Sequence, residues 1–490
     1  MTWLAEHKLQ VMFLAGYLGL LFYHAVHGKR RSRSLDEYMI GGRTFGGITI
    51  ALSFCATFVS SVTFVGHSGV SFTRGPAWWL TCVCVFTSMI FVAWFVVAPP
   101  FYKQARSYNS MTIPDFLGHR YRSMGLRRLA ALVVVTASLA YMVAVYDGAV
   151  RLLESLTGLG ELGVLVAVFL IVTVYTLAGG FHSIVATDVV QGLILFSGGV
   201  LLPISMIVKK GGLGPLLDAV RTANPDALSW TSEMPLITMV GLALGIGLKF
   251  VVEPRQLSRF YGLSSGEELR RGRWIAPVFL FLIYFCMLPV GFLAHAFVPS
   301  VEWFQNADGV IKTDRVVPYL LGEGNILGPV AGAFFLTGLI AAAMSSLDSV
   351  LLVAASSVDH DLIAPDRDQK GAMRMTRLWV VMLSGTAALL AWWLDRGIVE
   401  MSSFSGSMYA ACFLPTLVVS LFWRGATVSG AFAGLILGFL VTLGWFFLKT
   451  EIAGGQYKTW HEVYVGIASA MLVFVVVSVC TNPPAADSEA

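Results

Sequence analysis

The chain has 490 residues, of which 56% are hydrophobic and only 13% are charged, and its mean hydropathy is +0.74. So little polar surface excludes a water-soluble globular protein of this length. A net charge of +4 with no long basic run excludes a nucleic-acid binder.

Taken in chain order, about thirteen segments reach the roughly 20 apolar residues that cross a hydrocarbon core. They are 9–26, 46–70, 77–99, 128–152, 162–178, 183–208, 235–254, 274–297, 326–358, 376–396, 400–422, 427–448 and 461–481. The expected fold is therefore an all-α membrane protein in a lipid bilayer. The first segment runs into Lys29, Arg30 and Arg31 with no small-residue cleavage site, so it is read as an uncleaved span. Cations then recur in alternate loops: Arg33 and Arg43; Lys103, Arg106, Arg120, Arg122, Arg127 and Arg128; Arg255, Arg259, Arg270, Arg271 and Arg273; Arg367, Lys370, Arg374 and Arg377. Positive loops face the cytoplasm. The N-terminus is then expected outside and the C-terminus inside a plasma (inner) membrane. Segments 209–234 and 298–325 are expected to fold over the outer mouth, and the tail after Thr481 to be disordered. The six cysteines lie in apolar stretches and read as small hydrophobes, not as disulfides or zinc ligands.

Polar breaks inside these segments carry the chemistry. In the second segment Ala56, Thr57, Phe58, Val59, Ser60, Ser61 and Thr63 place hydroxyls at mid-bilayer, the pattern of a broken helix. Unwinding frees backbone carbonyls, which are hard oxygen ligands for a small cation, and such backbone at this depth lines a cavity or binds something. Packing by small residues is the alternative. In the ninth segment Ala342 lies three residues before Ser345, with Ser346 adjacent, so a carbonyl and two hydroxyls share a helix face. Serines bonded back to their own helix are the alternative. Asp188, inside the sixth segment, needs a cation, a polar partner or a water path.

Two more charges are intramembrane, Asp147 in the fourth segment and Lys249 in the seventh, where Glu253 and Pro254 follow. With Gly245 and Gly247, that Pro marks the seventh segment as interrupted. Broken segments five apart predict two five-helix repeats of inverted topology with the site between them. Lys249 either holds a solute carboxylate or pairs with Asp147 or Glu253. Other solute candidates at this depth are Ser60, Thr63, Trp79, Asp147, Glu253, Ser405 and Tyr409. His67 and His182 read as polar linings, and Gly158, Gly160 and Gly163 spell a dinucleotide-like GxGxxG without the strand it needs. No nucleophile–base or metal set converges, so no enzyme and no organic cofactor are expected.

Five stretches resemble the sodium:solute symporter family, in order from about residue 37 to 435. They are DEYMIGGRTFGG (36–47), TIPDFLGHRY (112–121), GG…TDVVQG (179–192), AAAMSSLDS (341–349) and LFWRGATVSGAFAG (421–434). The resemblance implies a leucine-transporter-like five-plus-five core with one helix before it and two after. The boundaries it implies are 1–45, 46–208 (first repeat), 209–234, 235–423 (second repeat), 424–481 and 482–490. It implies sodium as the coupling ion and only metal, held by carbonyls of Ala56, Val59 and Ala342 and hydroxyls of Ser345 and Ser346, with Asp188 in support. FVVEPRQLSRF (250–260) is similar to the proline-carrier version of its helix, but has Lys249 for a small residue and Glu253 for a Gln. The expected activity is sodium-coupled symport of an amino acid or carboxylate rather than a sugar, by a chain sufficient as a monomer. Sodium enters first, since moving one charge inward is worth about 2.3 kcal/mol per 100 mV. A transporter-fold sensor without net transport is the rival reading.

Overall fold

Backbone groups in hydrocarbon have no water to bond, so apolar stretches of this length must close their hydrogen bonds internally as helices. The computed structural model describes residues 8–31, 34–60, 62–157, 159–305, 311–363, 369–394, 397–449 and 459–481. Among these, helices account for the regular structure, and extended pairing is confined to two isolated bridges, Phe45 with Leu263 and Gln305 with Ile311. The polar tail and Ser61 lie outside the described residues.

The helices that matter here are α1 (Lys8–Arg31), α2 (Gly47–Phe58), α3 (Ser68–Phe91), α4 (Ile113–Tyr121), α5 (Met124–Thr157), α6 (Glu161–Lys209), α7 (Leu236–Gly247), α8 (Pro254–Tyr261), α9 (Pro329–Ser356), α10 (Gln369–Trp393), α11 (Ile398–Phe413), α12 (Val428–Leu448) and α13 (Glu462–Cys480). Among the described residues, eleven helical stretches are long and apolar enough to cross a membrane, and two apolar helices, Gly47–Phe58 and Glu161–Leu177, are shorter. Every expected segment falls on one of these, but length alone qualifies eleven. Two features account for the difference: Gly75 (φ 62°, ψ −153°) joins the second segment to the third within α3, and the fifth, Glu161–Leu177, is short; Gly180 (φ 63°, ψ −174°) links the fifth to the sixth within α6. Both conformations are open essentially to glycine alone.

The seventh segment reaches further than expected. It runs through Leu236–Tyr261, so Arg255 and Arg259 are not loop cations but are about 1% exposed. Among the described residues, the remaining basic loop positions gather on one face. There Arg43 donates to Asn109 (2.8 Å), Arg106 to the Leu263 and Ser264 carbonyls (2.8 Å each), and the Gly47 N–H to Glu268 (2.6 Å). The opposite face is capped by 225–228, 301–305 and 311–315, with Phe72 stacked on His295 at 3.9 Å.

α9 is buried along most of its length, whereas α1, α10 and α13 turn large apolar side chains outward, among them Phe22 (69% exposed), Trp393 (80%) and Val479 (71%). That surface suits lipid contact. α7 and α11 cross backbone on backbone: a Cβ on Gly406 would lie 1.8 Å from the Gly245 carbonyl oxygen and 2.9 Å from Lys249 Cε. Gly406→Ala must push the helices apart, at a cost of about 1–3 kcal/mol or more. It is expected to lower the melting temperature in detergent and to impair uptake.

Candidate ion and solute site

The two interrupted helices meet at their interruptions. α2 stops at Phe58, with Val59 extended (φ −75°, ψ 100°), and the second break falls at Glu253 (φ −71°, ψ 125°) between residues 249–252 and α8. At the first break the Ser60 N–H turns to Thr63 Oγ1 (3.4 Å) and not to the Ala56 carbonyl, which the helix ladder thereby releases. Arg255, just past the second break, donates to the Thr57 carbonyl at 2.9 Å, and Phe58 stacks on Phe250 with centroids 3.6 Å apart.

α9 brings its serine pair to the same point. Ser346 Oγ donates to the Thr57 carbonyl (3.4 Å) and Ser345 Oγ to Asp188 Oδ1 (2.5 Å). Both hydroxyl protons are thus taken by neighbours, which leaves the two oxygens as acceptors. A hydroxyl must be in this state to ligate a cation. Asp188, fully buried, also accepts from Ser53 (2.6 Å) and Thr57 Oγ1 (3.0 Å) and pairs with Arg259 (2.9 Å). Arg259 in turn donates to Thr57 Oγ1 (2.7 Å) and Ser349 Oγ (2.9 Å). Ala56, Val59, Ala342, Ser345 and Ser346 are all within 2% of full burial.

A small cavity of about 10 Å³ lies between the breaks, lined by Ser60, Thr63, His67, Tyr141, Lys249 and Ser402 among others. That is room for about one water. Lys249 Nζ donates to Ser402 Oγ (3.1 Å) and sits 4.0 Å from the centroid of the Tyr141 ring, whose hydroxyl accepts from Arg255 (3.2 Å). The two expected partners of Lys249 are engaged elsewhere. Asp147 pairs with Arg151 (3.2 Å), and Glu253 pairs with Arg255 (3.1 Å).

Besides Glu253, four solute candidates do not line this cavity. Asp147 lines a separate cavity of about 420 Å³ toward the face opposite the basic loops, with Arg151, Lys312, Asp314 and Gly66. Trp79 packs on Phe285 and Phe292, while Trp78 stacks on His67. One residue turns a helix by about 100°, so the neighbour faces inward. Ser405 donates to the Ala137 carbonyl (2.7 Å), and Tyr409 bonds Ser138 (2.7 Å), so both join α11 to α5. Sequence reasoning missed Ser402, one turn before Ser405, and Tyr141, Arg255 and Arg259.

On the basic face, Arg127 pairs with Asp115 (2.8 Å) and Asp361 (2.9 Å), Thr112 Oγ1 donates to Asp361 (2.8 Å), and Tyr261 donates to the Thr112 carbonyl (2.9 Å). This set ties α4, α5, α8 and the residues after α9 together below a cavity of about 20 Å³ lined by Pro254, Ser258 and Ser356. Asp115, His360 and Asp361 bring their ligand atoms within 4.8 Å of one another, but the Arg127 guanidinium already supplies the cation there. Arg127→Met leaves Asp361 buried without its cation and is expected to loosen the latch. In a background lacking the exposed Cys84 and Cys480, a Ser356→Cys reporter should then react several-fold faster with a water-soluble thiol reagent.

The model of the sodium:solute symporter family matches residues 38–438. Over 469 residues the chain is 29% identical to the high-affinity proline transporter PutP of Bacillus subtilis, covering 93% of this chain and 94% of that protein. It is 27% identical over 478 residues to the sodium/pantothenate symporter of Escherichia coli, covering 95% of each. A sodium-coupled sialic acid symporter solved in a substrate-bound outward-open state superposes with a TM-score of 0.78 at 20% identity, over 97% of this chain and 98% of that one.

Proposed function

The chain belongs to the sodium:solute symporter family, and from that premise we propose that it carries an amino acid or small carboxylate into the cell with sodium by alternating access. It is an integral membrane protein of the plasma membrane that couples sodium to the movement of a small organic solute, and the family's members are transporters. In our reading sodium is held by the carbonyls of Ala56, Val59 and Ala342 and the hydroxyls of Ser345 and Ser346, with Asp188 and Arg259 fixing the serine pair. The carrying observation is that both serine protons are already committed, to Asp188 and to the Thr57 carbonyl.

The solute cavity lies between the breaks, and Lys249 is its carboxylate clamp. Proline and pantothenate, the solutes named for two relatives, are both carboxylic acids, which agrees with this reading. The basic face is cytoplasmic, which puts the N-terminus outside and the C-terminus inside. Residues 46–208 and 235–423 form the two inverted repeats around the site, and one chain suffices for transport. The outer cavity reaches Gly66, next to His67, while the Arg127 latch closes the basic face. That combination describes a state shut toward the cytoplasm. Bound sodium ties α2 to α9 and so favours the solute-competent state, and solute must tighten sodium by the same factor. Purified protein in liposomes tests this. An inward sodium gradient should drive uptake that a potassium gradient of equal size does not, and equal uptake under both would overturn the coupling.

A further inference from the structure

We infer that the solute is an organic carboxylate that carries no ammonium group, with a hydroxyl or oxo oxygen near its acid end. The inference rests on the reading of the Lys249 cavity as the solute site and narrows it. Lys249 is about 1% exposed, and no described carboxylate lies within 4 Å of it. An ammonium has three N–H donors, of which Ser402 takes one. A buried charge without a counterion is unfavourable, and an incoming anion removes that cost.

The second cation at the cavity, Arg255, stands 4.4 Å from the same Tyr141 ring, and Glu253 neutralises it. The lining charges therefore sum to one positive unit. That favours a carboxylate and repels an α-ammonium, which would sit within a few bonds of the clamped group. Nor is there an acid to receive an ammonium, because no carboxylate is among the described lining residues. An amino acid would bury its ammonium beside Lys249 with no counter-charge.

His67 supplies the second half of the argument. It lines the same cavity, it is about 1% exposed, and its Nδ1 is buried with no hydrogen-bond partner. A buried ring nitrogen of this kind needs a partner. A hydroxyl serves either tautomer, since it both donates and accepts, and an oxo group serves the protonated nitrogen. An ammonium serves only one tautomer and adds charge.

The test uses the full chain in liposomes under a sodium gradient, with labelled lactate and pyruvate in one arm and alanine and proline in the other. At least one acid without an ammonium should enter at least tenfold faster than either amino acid. Lys249→Met should lose that uptake at least tenfold, while Lys249→Arg keeps part of it. His67→Phe should lower the preference for lactate over propionate. Sodium-driven uptake of alanine or proline at the faster rate overturns the inference and leaves the coupling intact. Sodium-driven uptake of neither arm overturns both. Full lactate or pyruvate uptake by a folded Lys249→Met carrier, confirmed by unchanged melting, also overturns the inference.

Discussion

Asp188→Asn should destabilise the folded protein by about 3–5 kcal/mol, the usual cost of removing one member of a buried ion pair. Asp188 is the only carboxylate that Arg259 pairs with among the described residues, and both are almost fully buried. The neutral amide leaves the guanidinium charged in a low-dielectric interior. It also removes an acceptor shared by Ser53, Thr57 and Ser345. Thermal unfolding in detergent reads the loss. The double variant Asp188→Asn with Arg259→Gln should be more stable than the two separate losses added together, because it removes the stranded charge. An Asp188→Asn protein that melts with the wild type would mean that the pair does not hold α6 to α8.

The meeting of the α2 break with the α9 serine pair was legible in the sequence because hydroxyls inside an apolar segment cost free energy unless they are used. Ser345, Ser346 and the run from Ala56 to Thr63 therefore stood out. Arg255 and Arg259 did not, because a count of loop cations cannot distinguish a charge in water from one matched by Glu253 or Asp188. The match depends on residues far apart in the chain, and only the fold brings Asp188 beside Arg259. Ser402 is one of four serines on α11 and Tyr141 one of several polar residues on α5, and nothing in the sequence shows which of them face the breaks. Trp79 lies off the Lys249 cavity by helical phase, and Asp147 by depth. Ser405 and Tyr409 lie on the expected helix but bond α5. The two strained glycines were present in the sequence, yet nothing in their neighbours showed that they would join successive spans.

Ser346→Ala should raise the sodium concentration for half-maximal uptake by about 10- to 150-fold, from the 1.5–3 kcal/mol of a hydrogen-bond-strength contact to a charged group. The substitution removes one oxygen proposed to face the ion and also releases the Thr57 carbonyl from the Ser346 hydroxyl, though Arg255 still holds that carbonyl at 2.9 Å. The fold should therefore survive, and the loss should appear in sodium dependence more than in melting. Ser345→Ala should act in the same direction and also free one oxygen of Asp188. Ser405→Ala is the control, since its hydroxyl bonds the Ala137 carbonyl away from the ion corner, and its sodium dependence should match the wild type. Linkage adds a second readout. The serine variants should bind solute more weakly at low sodium and recover at saturating sodium, because the two affinities are coupled by one factor. A serine variant that lost solute affinity equally at every sodium concentration would instead place that hydroxyl in the solute cavity, and the ion would have to be sought elsewhere along α9.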